Sequence, residues 1–143
     1  MARKLIPQLT GKRRIRTREI PYIPVAAEYN GVVDELNRHL NSEELYANGA
    51  NVTLDLSEAL SFKVTLATTG VQFNVINGRE NDTLLLQITN GAAYTATLPS
   101  EFHFPGGTAQ TITASTGAID LVSAYFNGTN YLCSIIQDVK ITI

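Results

Sequence analysis

From Asn51 onward, apolar residues return at every second position in short runs, and each run stops at a cluster of small polar residues. Val52, Leu54 and Leu56 form the first run. Phe62, Val64 and Leu66 form the second, Val71, Phe73 and Val75 the third, and Leu84, Leu86 and Ile88 the fourth, with Leu85 on the opposite face. A repeat of two is the mark of a pleated strand with one face in a core, because successive side chains point to opposite sides. The runs "YTATLP", "QTITAS", "AIDLVSAYF" and "NYLCSIIQD" continue the pattern. The separators "TTG", "NGREND", "NGAA", "PGGT", "STG" and "NGTN" are rich in Asn and Gly, which tolerate positive φ. This spacing predicts a mainly β fold of about eight strands, an antiparallel β-sandwich or jelly-roll-like domain over residues 50–143. "FNGTNY" is the expected hairpin between the last two strands.

The period changes upstream. Tyr29, Val32, Val33, Leu36 and Leu40 make one helical stripe over 26–40, with Glu28, Asp34, Glu35 and Arg38 mostly off it. Tyr29, Val33, Leu36 and Leu40 step by four, three and four, as a coiled-coil seam does, and are the candidate oligomerisation residues. Two arrangements satisfy the stripe: a helix packed on its own β domain, or a short bundle around a symmetry axis. "NSEELYANG" reads as a further helical turn or loop, so residues 26–48 are expected to form a short helical bridge.

Residues 1–25 are broken by Pro7, Gly11, Pro21 and Pro24, which interrupt regular structure. Charge sets this segment apart. Residues 1–20 carry seven Lys or Arg against Glu19 alone, whereas the remainder carries four against twelve Asp or Glu, within a chain of net charge −2. A basic arm on an acidic body is the pattern of an interaction tail. The arm's apolar residues Leu5, Ile6, Leu9, Ile15, Ile20 and Tyr22 suit grooves on a partner, and Arg13, Arg14, Arg16 and Arg18 suit carboxylates. We expect an extended arm that docks on an acidic protein surface. Nucleic acid is the weaker partner, since the acidic body would be repelled by phosphate.

Chemistry-bearing groups are sparse. His39 and His103 are the two histidines, and neither belongs to a metal-ligand spacing. Cys133 stands alone in "YLCSII" and reads as a buried core thiol. No GxSxG elbow occurs, and "FPGGT" lacks the lysine and following helix of a phosphate loop. Glu80 and Asp82 miss the EF-hand spacing and read as parts of a solvated turn. Asn51, Asn81 and Asn127 each open an Asn-x-Thr triplet and read as turn chemistry. No catalytic residue, metal or cofactor is expected, and neither a membrane span nor a secretory leader. Between residues 102 and 137 the one formal charge is Asp120. It reads either as an outward strand residue or as a buried carboxylate accepting hydrogen bonds from a turn. So neutral a strand surface is a candidate for burial between subunits, because exposed strands ordinarily carry charge.

The pieces "LLLQITNG", "TATLPSEFHFPGG" and "TITASTGAIDLVSAYFNGTNYL" resemble a β domain common in tailed-bacteriophage virion proteins, especially tail-fibre, head-fibre and related appendage proteins. The resemblance covers the second half of the chain. It implies a β-sandwich, often trimeric, without a catalytic centre, anchored to the particle by an N-terminal segment. On that basis the chain is expected to be a small fibre, decoration or collar-type virion protein. It would be assembled in the bacterial host cytoplasm, form a homotrimer and dock on a capsid, neck or tail protein through its arm. The alternative is a carbohydrate-binding host-attachment module, with Tyr94, Tyr125, Phe126 and Tyr131 as a stacking platform for a surface glycan.

Overall fold

A computed structural model describes residues 26–141. The expected arm, 1–25, and residues 142–143 lie outside the described residues. Helix α1 (Ala26–Leu40) comes first, as the apolar stripe predicts, and its last turn from Asn37 belongs with the β body. Nine strands follow: β1 (Ser42–Ala47), β2 (Asn51–Asp55), β3 (Ser61–Leu66), β4 (Val71–Ile76), β5 (Thr83–Asn90), β6 (Ala96–Thr97), β7 (Phe102–His103), β8 (Ile119–Phe126) and β9 (Tyr131–Val139).

The strands form a six-stranded sheet, ordered β1-β3-β5-β8-β9-β7, and a three-stranded sheet, ordered β2-β4-β6. Through β6 the chain alternates between the two. After each strand it crosses to the other sheet instead of folding back beside itself, so strands of one sheet run the same way. The β1–β3, β3–β5, β2–β4 and β4–β6 ladders are all parallel. Three coils therefore stack: β1 with β2, β3 with β4, and β5 with β6. Antiparallel pairing is confined to β8, which lies between β5 and β9, and β7 pairs parallel to β9. Gly70 sits at φ 75 in the crossing turn after β3, a conformation that favours glycine.

The mainly β, two-sheet character agrees with the sequence reading, but the antiparallel assignment is corrected for five of the seven ladders. Alternation tells which face of a strand is buried and nothing about where the next strand pairs. A hairpin turn and a turn that crosses to a facing sheet bury the same alternate residues. The β8–β9 hairpin is as expected. Asn127 N–H donates to Asn130 O at 3.1 Å, and Asn127 Oδ1 accepts from Thr129 N at 3.0 Å and Asn130 N at 2.8 Å.

Two further assignments change. Residues 42–47 are strand, so the helical bridge expected over 26–48 ends at Leu40. "SEELYA" is made of good helix formers, but parallel pairing to β3 outweighs local propensity, and Leu45 and Ala47 face the core. "QTITAS" carries no ladder. Side chains hold it extended: Thr113 N donates to Asp120 Oδ2 at 2.6 Å, Asn90 Nδ2 to Thr113 O at 2.9 Å, and Gln137 Nε2 to Thr111 O at 2.6 Å.

One apolar core joins both sheets. Leu54, Phe62, Leu66, Phe73, Leu84, Leu86 and Val122 are fully buried in it, each worth roughly 1.5–3 kcal/mol of transfer free energy. Leu98, Phe102, Phe104 and Ile112, from the long connection between β6 and β8, complete the same cluster.

Candidate functional site

The outer face of β5, β8 and β9 carries the chain's neutral surface. Register places Thr83, Tyr125 and Leu132 in one row, Leu85, Ser123 and Ser134 in the next, and Gln87, Leu121 and Ile136 in a third. No charge lies among these nine residues. Leu85, Tyr125, Leu132 and Ile136 are exposed, Ile136 by 59%. Further along the sheet Lys63 of β3 stands 4.0 Å from Glu44 of β1, and near the end of β9 Asp138 pairs with Lys140. Tyr125 is fixed in the first row by its hydroxyl, which donates to Asn81 Oδ1 at 2.8 Å. Beside it runs an open groove of about 470 Å³ lined by Thr83, His103, Pro105, Tyr125, Leu132 and Ser134.

The inner side of the same strands explains the missing charge. Asp120 is 1% exposed, between Val122 and Ala118 on the buried side. Its Oδ1 accepts from Asp138 N at 2.8 Å and its Oδ2 from Thr113 N. Asp138, at φ 53, sits where the β8–β9 register slips between Ile119 and Leu121. The carboxylate thus satisfies an amide freed by the bulge and another from the unpaired 110–114 segment. Of the two readings of Asp120, the buried acceptor holds.

Three other polar side chains are buried where the sequence reading did not expect burial. Arg38, 2% exposed, turns from the end of α1 into the body, where its Nε donates to Leu56 O at 2.5 Å and its guanidinium pairs with Asp82. Asp82 also accepts from Arg79 N at 2.7 Å. Asp82 is therefore a buried ion-pair partner, which corrects its reading as part of a solvated turn. Asn90 uses its whole amide: Nδ2 donates to Tyr94 O and Thr113 O, and Oδ1 accepts from Tyr94 N and Ala92 N. No local signal marks Arg38 or Asp82, since each finds its partner far along the chain.

Tyr29, Val32, Leu36 and Leu40 are exposed, Leu40 by 73%, and Val33 is partly buried. The residues expected to dock, Leu5, Ile6, Leu9, Arg13, Arg14, Ile15, Arg16, Arg18, Ile20 and Tyr22, fall outside the described residues.

The proposed aromatic platform does not form. Tyr131 is buried, stacked on Phe126 at 4.4 Å between ring centroids and tilted against Phe102 at 5.4 Å. Tyr125 faces the opposite way, on the outer face, so the four rings share no surface. Burial raises the Tyr131 hydroxyl's pKa, helped by Asp82 and Glu101. The Cys133 thiol is buried as expected, and loss of solvent pushes its pKa to about 11. Among the described residues no three His, Cys, Asp or Glu side chains cluster as metal ligands would. No protein-family model matches the chain, and no curated protein matches it.

Proposed function

We propose that this chain is a non-enzymatic structural protein of a tailed-bacteriophage particle, a small fibre, decoration or collar-type component. Its β body joins copies of itself into a homotrimer, and its basic N-terminal arm docks on another virion protein. The observation that carries the self-association is the charge-free outer face of β5, β8 and β9. A body with twelve acidic and four basic side chains beyond residue 20 repels its own copies over most of its surface. This face offers apolar area without that penalty, and a second copy of the same face is its natural complement. The exposed stripe of α1 adds a second neutral surface of the same kind. Three arms held together would bind a particle far more tightly than one, without any new contact.

Light scattering on the purified full chain tests the reading. A mass three times the 15.6 kDa chain is expected, falling to one chain in the Leu132→Arg/Ile136→Arg variant with its circular dichroism retained. A monomeric wild type overturns it. Removal of residues 2–20 should leave an oligomer held by the sheet face and abolish its incorporation into particles.

The groove beside Tyr125 favours one second reading. An open, uncharged trough with a tyrosine ring and the hydroxyls of Thr83 and Ser134 is suited to a sugar, so a carbohydrate-binding host-attachment module is the alternative. A glycan array separates the two, since specific binding lost in Tyr125→Ala supports the module.

A further inference from the structure

β1 is the outermost strand of the six-stranded sheet, and among the described residues nothing pairs with its free edge. Alternate amides and carbonyls of Ser42–Ala47 thus point away from β3, a ready template for another strand. Folded proteins usually guard such an edge with lysine, proline or a bulge. β1 has none of these and carries Glu43 and Glu44 instead. Two glutamates discourage the pairing of one β1 edge with another, and they attract a basic strand.

The chain itself contains a segment of the matching pattern. In Arg14-Ile15-Arg16-Thr17-Arg18 the arginines recur every second residue, with Ile15 and Thr17 between them. Laid along β1, such a strand sets its arginines on the face that bears Glu44 and Tyr46. It sets Ile15 on the face of half-buried Leu45, over the core. The outer face there is already hollowed by a trough of about 350 Å³ whose walls include Glu44, Tyr46, Lys63 and Gln87, room for the arginine stems.

We propose that residues 14–18 of one copy add to the free edge of β1 of a second copy as a β-strand, stapling the oligomer through exchanged arms. This rests on the self-association proposed above and names a second, separate contact for it. The backbone ladder gives the affinity, and the alternating arginines fix which face of the arm turns outward.

Disulfide trapping between copies tests it on the full-length chain. In a Cys133→Ser background, chains bearing Glu44→Cys are mixed with chains bearing one cysteine introduced at position 14, 15, 16, 17 or 18, and oxidised. Across a strand pair, Cβ atoms opposite one another are about 4.5–5.5 Å apart, close to disulfide reach. Mixed dimers should form with at least one of Arg14→Cys, Arg16→Cys and Arg18→Cys, and at most a tenth as much with Ile15→Cys or Thr17→Cys. Salt near 1 M during oxidation should reduce the yield several-fold. Equal trapping at odd and even positions, or none at any, overturns the strand addition. If the mass then remains trimeric, assembly through the sheet face survives and only the exchanged arm fails. A monomeric wild type removes both.

Discussion

The most consequential single residue is Arg38. It lies in α1, beside an exposed apolar stripe, yet it is the helical side chain that the body buries. Its charge is compensated by Asp82, and its Nε–H by the carbonyl of Leu56. Removing one member of such a pair strands the other charge in a medium that solvates it poorly, at a cost of about 3–5 kcal/mol. Replacing both with apolar groups can be nearly neutral. We expect Arg38→Met alone to lose roughly that much in urea unfolding, and Arg38→Met combined with Asp82→Leu to lose clearly less than the sum of the two singles. Additive losses would mean that the two side chains act independently. None of this was legible in the sequence. A charged residue off a helical stripe reads as a solvated one, and its partner lies in a turn dense with Asn, Gly and Glu. Asp120 was half legible: its strand face follows from the alternation, but the amides it serves arise from a bulge.

At the scale of the elements, alternation located β2 to β5, β8 and β9, because each has one face in the core. It missed β1, where Glu-Glu-Leu favours a helix in isolation. It also over-read 110–115, whose Ile112 is buried like a strand residue but whose backbone bonds go to side chains. The turns were recognised as turns; their sense of crossing was not. One of them is built on Asp55, whose Oδ1 accepts from Asn77 Nδ2, Ser57 Oγ and Ser57 N. These bonds, Asn77 first and then Ser57, hold the Asp55 carboxyl below its ordinary value. A lowered value means that the carboxylate form stabilises the fold. The gain is complete above the ordinary value of 3.8 and disappears as pH falls through the lower folded value. Asp55→Ala should therefore lose about 1 kcal/mol near neutral pH, the usual worth of such bonds. The gap from wild type in thermal melts should narrow as the pH is taken below 3.8. A gap that stays constant would assign the loss to packing.

For the whole molecule, the order β1-β3-β5-β8-β9-β7 places β5 and β8 at the centre of the larger sheet, flanked on both sides and roofed by the shared core. Amides there should exchange with solvent only on global unfolding, while the side-chain-tethered segment 110–114 opens locally and exchanges fastest. Hydrogen exchange read by mass spectrometry checks this. Slow exchange at 110–114 equal to that of β5 would show that its side-chain tethers are as strong as a ladder. The division between a basic leader and an acidic, neutral-faced body was visible in composition alone. Which strands present the neutral face depended on register, which no composition carries. The stacked coils have one more consequence. Each coil is closed by surface turns and its strands pair with those of the adjoining coils, so the stretch from Ser61 to Ile76 is a unit that tandem duplication could insert between existing rungs. A lineage could lengthen this protein rung by rung while leaving the β8–β9 hairpin untouched.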